Sequence, residues 1–338
     1  MWFLPLACGW LVGAARAADP TFEVRPTGWV SPQYTWESKG SEPTSAFALQ
    51  ARLGAEASSN TLRVRARIEA ELLPTPSLQD AFAVWQPSPA TALFAGQFKV
   101  PYSLQALSVE TRRQFSTRAE AVAATTFDRD LGVMAGLRLP VGGRVRATLD
   151  VAAMNGEGAN QVGNPGEGLL FAVRGTVAPL GVRERPQEGS LREPFVAVGG
   201  GWVSLAEENA VGVDVQVAAG PFSIQAEYLD RARSRAGEPE WSARGAYGQL
   251  GSFIPAPWVR EHLEVVLRGG WSAPHLLVEG GPDAEARITV EAGVNLYAQA
   301  SPSALHDVKV QVGFRHTLPA SGTGHEEDRL DVATVARF

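Results

Sequence analysis

Alternation of apolar and polar residues is the dominant pattern along this chain. Between Leu62 and Leu72 every second residue is apolar, and the residues between them are arginine or glutamate. Side chains of a β-strand point alternately to opposite faces, so this period of two predicts a strand with one apolar and one charged face. The pattern returns at 145–151, 211–217, 222–228, 288–296 and 308–314.

Sixteen segments can be assigned to strands in this way, and together they predict an all-β protein. The predicted strands are 22–37, 44–57, 60–73, 77–86, 90–98, 128–140, 143–154, 168–179, 193–204, 209–218, 221–231, 241–253, 260–272, 284–298, 306–317 and 327–338. A soluble sandwich would also alternate, but its strands usually have about 5–6 residues. Longer strands with charges along one whole face favour tilted strands that cross a bilayer around a wet lumen. We therefore predict a transmembrane antiparallel β-barrel of about 16 strands.

The lengths of the connections support a barrel with an even number of strands. Bacterial barrels alternate short periplasmic turns with longer outer loops. The two longest polar connections, 101–127 and 155–167, both follow odd-numbered strands. Two connections break the rule, because 180–192 is long where a short turn is expected and 205–208 is short where a loop is expected. The alternation predicts that both termini lie in the periplasm.

The first eighteen residues differ in composition from the rest of the chain. Met1 to Ala18 is an apolar stretch that ends in the small-x-small pattern Ala15-Arg16-Ala17. This arrangement predicts a secretory signal peptide over 1–18, with the barrel over 19–338. Cleavage would remove Cys8, the chain's one cysteine, so no disulfide is expected. No later stretch is apolar for long enough to predict a membrane-spanning helix.

The net charge and the motifs of the sequence restrict the classes of function that are expected for this chain. The formal net charge is −6, whereas nucleic-acid binders usually carry a basic excess, so no nucleic-acid partner is expected. None of the five histidines lies in a nucleophile-elbow or zinc-protease motif. We therefore predict no catalytic residues, no metal site and no cofactor. A barrel hydrolase stays open as a minor alternative, as does a barrel with a non-transport role such as an adhesin or scaffold.

One part of the sequence resembles a known family. Gly96-Gln97-Phe98-Lys99-Val100-Pro101-Tyr102-Ser103-Leu104 is similar to the motif that leads into the third loop of phosphate-selective porins O and P. Asp128-Arg129-Asp130-Leu131-Gly132-Val133 resembles that family's return strand, and Asn155-Gly156-Glu157-Gly158 resembles the start of a following loop. The resemblance implies a bacterial outer-membrane porin, usually a homotrimer, whose third loop folds inward as a constriction. Phosphate or anion preference is likewise implied only by this resemblance.

The loop 101–127 carries the candidate pore residues. Its arginines could bind permeating anions, because guanidinium groups present several fixed donors in a narrow lumen. The alternative is that they are ordinary loop charges paired with Glu110 and Glu120. Further cations are expected along the lumen, although glutamates on the same strands would partly neutralise them. The candidate substrate-binding residues are Arg112, Arg113, Arg118, Lys99, Arg129, Arg63, Arg65 and Arg67.

The sequence as a whole predicts an outer-membrane porin that allows passive diffusion of small hydrophilic solutes. Its expected partners are outer-membrane lipid, small solutes or anions, and two further copies of the chain. The aromatic carboxy-terminal residue, Phe338, resembles the signal by which bacterial barrels are recognised by their insertion machinery. The physiological solute, the ion selectivity and the pore diameter are left open by the sequence.

Overall fold

The computed structural model is a closed antiparallel β-barrel of sixteen strands. It describes residues 21–39, 42–164, 168–180, 188–189, 194–234, 241–277, 286–299, 306–320 and 325–338. The predicted signal peptide over 1–18 lies outside the described residues. No helix in the described part of the chain is long and apolar enough to cross a membrane.

Each predicted strand corresponds to one observed strand. The strands are β1 (Glu23–Lys39), β2 (Glu42–Ser59), β3 (Val64–Leu73), β4 (Ser77–Ser88), β5 (Thr91–Lys99), β6 (Arg129–Gly142), β7 (Val145–Met154), β8 (Leu170–Ala178), β9 (Phe195–Leu205), β10 (Glu208–Ala219), β11 (Phe222–Arg233), β12 (Trp241–Phe253), β13 (Leu263–Leu277), β14 (Arg287–Tyr297), β15 (Val308–Pro319) and β16 (Glu327–Arg337). Between β5 and β6 lie two short α-helices, α1 (Leu104–Leu107) and α2 (Glu120–Thr125), and a 3₁₀ turn at Glu110–Arg112. The all-β barrel prediction is confirmed.

Strands that are consecutive in sequence are neighbours in the sheet, and β1 pairs with β16 to close the barrel. The last residue takes part in this closure. The amide of Phe338 donates to the carbonyl of Gly28 at 3.0 Å, and the amide of Gly28 donates to the carbonyl of Phe338 at 3.1 Å. Closure leaves no unpaired sheet edge, so every strand can satisfy its backbone groups within the barrel.

The barrel wall exposes its apolar face and buries its polar face, which is the reverse of the arrangement in a soluble protein. On β14 the apolar Val290 is 54% exposed, whereas the intervening Glu291 and Asn295 are 3% and 1% exposed. The polar face points into the barrel, where its charges find partners. Glu291, for example, accepts a hydrogen bond of 2.7 Å from Arg268 of β13. The alternation in the sequence therefore predicted the faces of the wall correctly.

The start of β3 differs from the prediction. Residues 60–63 form the turn between β2 and β3, although a strand was predicted from residue 60. Arg63 has φ of +54°, a left-handed conformation that belongs to a turn and not to an extended strand. The perfect alternation of the sequence runs through this turn, because alternation does not report where the chain reverses.

Candidate functional site

The connection between β5 and β6, residues 100–128 and here called the β5–β6 segment, is the candidate functional site. Its first helix, α1, begins at Ser103, whose side chain accepts a hydrogen bond of 3.2 Å from the amide of Ala106. This is an ordinary N-cap, and it satisfies one of the free amides of the first turn. The rest of the segment is held by contacts with the barrel wall.

Apolar residues of the segment pack against one half of the wall. Tyr102, Ala106 and Val122 are each at most 4% exposed. They form one buried cluster with inward residues of β7 to β12. The Tyr102 hydroxyl donates to the carbonyl of Val211 in β10 at 2.7 Å. Burial raises the pKa of the Tyr102 hydroxyl, so the side chain stays neutral in this apolar setting.

Two glycines of the wall let the segment approach closely. A Cβ atom at Gly201 of β9 would lie 2.5 Å from the carbonyl oxygen of Tyr102. A Cβ atom at Gly245 of β12 would lie 2.5 Å from the Cβ of Ala121 in α2. Real Cβ contacts are not so short, so both positions need glycine for this packing.

Polar residues of the segment bind a second part of the wall. Gln114 donates from its side chain to Ser223 of β11 at 3.0 Å and to Glu264 of β13. Its backbone carbonyl accepts hydrogen bonds of 2.9 Å from Asn295 of β14 and from Gln311 of β15. The side chain and backbone of this one buried residue thus connect the segment to these four strands.

Glu188, from the connection between β8 and β9, binds the segment as well. It is 1% exposed, and its carboxylate accepts from the side chain of Gln105 and the backbone amide of Gln114, each at 2.8 Å. The same carboxylate accepts from Gln249 of β12 at 2.9 Å. Glu188 is thus bound to both the segment and the barrel wall.

Glu110 is the centre of a cluster of charges. Its carboxylate accepts from Arg52 of β2 at 2.9 Å and lies 3.7 Å from the guanidinium of Arg118. Burial alone would raise the pKa of Glu110. The nearby cations, including Lys99, Arg52 and Arg113, outweigh burial and hold that pKa well below its usual range. Glu110 is therefore ionised and bound to the wall at β2.

The three loop arginines have different environments. Arg112 is half-buried at the end of the 3₁₀ turn, and its carbonyl accepts from the amide of Glu188 at 3.0 Å. Arg113 is 5% exposed, and burial, partly offset by Glu110, lowers the pKa of its guanidinium to about 10. Arg118 is half-buried between Glu110 and Asp128, at 3.7 and 3.6 Å.

The two flanking cations are also engaged by the protein. Lys99 donates to the carbonyls of Ala106 and Ser108, at 2.8 and 2.9 Å. Arg129 is 3% exposed and donates to Asp80 of β4 at 2.8 Å. Lys99 therefore joins β5 to the segment, and Arg129 joins β6 to β4.

The three predicted cations near β3 have different surroundings. Arg63 lies in the β2–β3 turn and donates to the carbonyl of Pro87 at 2.6 Å. Arg65 is half-buried on β3 opposite Ser58. Arg67 is bound to Glu69, as expected for a strand face that carries both positive and negative charges.

Several important residues were not predicted. Gln114, Glu188 and Glu264 form the buried polar contacts of the segment, yet no sequence motif surrounds them. One signal was present, because the length of the connection 180–192 was already irregular for its position. The hydrogen bonds themselves join residues up to 197 positions apart, which no local pattern reports.

Residues 44–188 match the model of the family described as phosphate-selective porin O and P. The matched range begins within β2 and includes the whole β5–β6 segment. The chain has the same barrel fold as solved porins. The predicted resemblance is thus confirmed on the part of the sequence that carried it. No curated protein matches the chain.

Solved porins share the architecture at low sequence identity. An anion-selective porin from Comamonas acidovorans is 11% identical, with a TM-score of 0.60 over 94% of this chain and 100% of that chain. OprB of Pseudomonas putida is 7% identical, with a TM-score of 0.65 over 93% of this chain and 94% of that one. The trimer form of OmpT, an outer membrane protein of Vibrio cholerae, is 9% identical, with a TM-score of 0.53 over 93% and 99%. At such low sequence identity, these similarities show a shared fold and nothing more.

Proposed function

We propose that this protein is a porin of the bacterial outer membrane that allows passive diffusion of small hydrophilic solutes. The observation that carries the proposal is the inverted barrel wall, apolar outside and polar inside. An apolar outer face such as that of β14 needs lipid around it, and a polar inner face suits a water-filled path. The family match and the porin fold support the same assignment.

We propose further that the β5–β6 segment folds into the lumen and forms the constriction. Its residues contact inward-facing side chains of β2, β11, β13, β14 and β15. Strands β2 and β11 stand far apart around the barrel, and contacts of the segment with both support a course across the interior. Loops of this length are usually functional.

Planar bilayers containing the purified barrel provide the test of channel function. We expect discrete conductance steps that scale with salt concentration. Absence of any current above the leak of the lipid would contradict the porin assignment. The contacts of the segment with opposite parts of the wall favour one second candidate, a barrel with a non-transport role, and the same measurement separates the two.

Anion or phosphate preference is a finer proposal, supported by the family's description and by the name of the Comamonas porin. Replacing Arg112, Arg113 and Arg118 together by alanine should shift the reversal potential toward cations if these arginines face permeating ions. Each of the three touches other groups of the protein, so we expect a small shift. An unchanged potential would remove the loop arginines from the permeation path.

We also propose a homotrimer in outer-membrane lipid, with Phe338 recognised by the insertion machinery. The OmpT structure described as a trimer form supports the first part. Mass measurement of the detergent-solubilised complex by light scattering tests it. Deleting Phe338, which would also remove two backbone bonds to Gly28, should reduce the amount of assembled barrel.

A further inference from the structure

Glu188 contacts the β5–β6 segment from the opposite end of the barrel. Because neighbouring strands are antiparallel, connections after odd-numbered strands and connections after even-numbered strands lie at opposite ends. The segment follows β5, whereas Glu188 belongs to the connection that follows β8. Glu188 is nevertheless buried, because it lies against the segment and the inner wall. Two connections from opposite ends of the barrel therefore meet at this residue.

Three hydrogen-bond donors point at the carboxylate of Glu188. The side chain of Gln105 donates to Oε1 at 2.8 Å. The backbone amide of Gln114 and the side chain of Gln249 donate to Oε2, at 2.8 and 2.9 Å. Two of these donors belong to the segment and the third belongs to β12, so one carboxylate joins the segment to the wall.

Other contacts fix the orientation of both amide side chains that bind Glu188. The side-chain oxygen of Gln105 accepts from the backbone amide of Ala119 at 2.7 Å, so its nitrogen faces Glu188. The side-chain nitrogen of Gln249 also donates to the side-chain oxygen of Gln114 at 2.6 Å. Turning either amide over would lose these bonds. The site therefore needs a side chain that only accepts, as an ionised carboxylate does and an amide of the same length does not.

The backbone of Glu188 connects the two ends of the barrel as well. Its amide donates to the carbonyl of Arg112 in the 3₁₀ turn at 3.0 Å. Its carbonyl oxygen lies 3.2 Å from Nε2 of His306, which comes just before β15 at the end opposite to the attachment of the segment. Gln105 and Gln114 lie on either side of the 3₁₀ turn, so Glu188 binds the part of the segment between α1 and α2.

We propose that Glu188 is a positioning residue for the proposed constriction, whose carboxylate holds the β5–β6 segment in one conformation and so fixes a single open level of the channel. The proposal rests on the proposed porin function and on the proposed course of the segment through the lumen, and it names what regulates that constriction. Without the carboxylate, three buried donors would lose their acceptor, and buried donors without a partner are costly. The segment would then sample positions in which these donors bind other groups or water, and the ion current would fluctuate between levels.

Single-channel recording in planar bilayers tests this role with two substitutions in the full chain. Wild type should show one steady open level, and Glu188→Ala should show at least threefold more open-channel current noise, with transitions between several open levels. Glu188→Gln keeps the volume of the side chain but turns a donor toward one of the three donors, so it should show the same effect in weaker form. Open levels as quiet as wild type in both variants would overturn the proposal, as would a quiet Glu188→Gln beside a noisy Glu188→Ala, because the carboxylate would then not be what positions the segment. Absence of current from the wild-type protein would contradict the porin function itself.

The matched control is Asp150→Ala on β7. This substitution also removes a carboxylate of the inner face, but the charges that interact with Asp150 are Arg138 and Arg174 of the wall. We expect the quiet open level of wild type, and noise equal to that of Glu188→Ala would overturn the proposal, because any loss of an inward carboxylate would then have the same effect. Heat-modifiable migration on gels checks that each variant is an assembled barrel. If Glu188→Ala does not assemble, Glu188→Gln carries the comparison with wild type and with the control.

Discussion

The outer face of β14 allows a quantitative test of membrane placement. Five apolar residues of this strand point outward, and Ala292 lies at the centre of the row, with Val290 and Val294 on either side. The Ala292→Arg substitution would place a guanidinium near the middle of the apolar band. Arginine on the lipid face of a barrel costs roughly 2–4 kcal/mol at the bilayer midplane. Since each 1.4 kcal/mol is a factor of about ten, the folding equilibrium constant should fall by about 30- to 700-fold.

The matched control is Thr148→Arg on β7. Thr148 is half-buried on the inward face, paired with Thr176 of β8, and an arginine there can reach water in the barrel. Ala292→Leu serves as a second control for added side-chain volume. Unfolding by guanidinium in phospholipid vesicles, followed by tryptophan fluorescence, measures the free energies of unfolding. A loss for Ala292→Arg no larger than that for Thr148→Arg would refute the assignment of the outer face to lipid.

Three further predictions concern the β5–β6 segment. Arg52→Ala leaves Glu71 and Glu110 without their shared cation and should lower the free energy of unfolding by about 3–5 kcal/mol in the same assay. A loss below 1 kcal/mol would contradict the contact. Because the native pKa of Glu110 is held low, its ionised form adds stability above the ordinary carboxyl value of about 4.3, and that stability is lost only as pH falls through the lowered native value. The difference in free energy of unfolding between wild type and Glu110→Gln should thus be constant from pH 7 to about pH 5 and should shrink at lower pH. A difference that already shrinks near pH 6 would contradict this prediction. Gly201→Ala should displace Tyr102 and change single-channel conductance without unfolding the barrel, and an unaltered conductance would mean that the contact with Tyr102 does not hold the segment.

The number of strands, and the face of the wall on which each side chain lies, followed from the local sequence. The period of two at 62–72 and at 288–296 reports which side chains share a face, and this property depends only on backbone geometry. The reversal at Arg63 did not follow, because its left-handed φ interrupts the strand without interrupting the alternation. Strand ends are set by where the chain can turn, which side-chain polarity does not encode.

The candidate site was predicted only as a place in the chain. The motif from Gly96 to Leu104 and the length of the connection after it marked the β5–β6 segment. The sequence also allowed two states for its arginines, exposed to permeating ions or paired with carboxylates. Arg118 is near Glu110 and Asp128, in agreement with pairing, while Arg113 is buried.

The sequence by itself determined an all-β barrel with sixteen strands, an apolar outer face and one long connection rich in arginine. Only the tertiary structure decided which part of the wall this connection covers. Arg52 meets Glu110 across 58 positions, and Gln114 meets Glu264 across 150. Such contacts depend on closure of the barrel and on shapes such as the flat backbone at Gly201 that receives Tyr102. Closure brings distant strands to one interior, and packing within that interior then selects which buried charges and amides become partners.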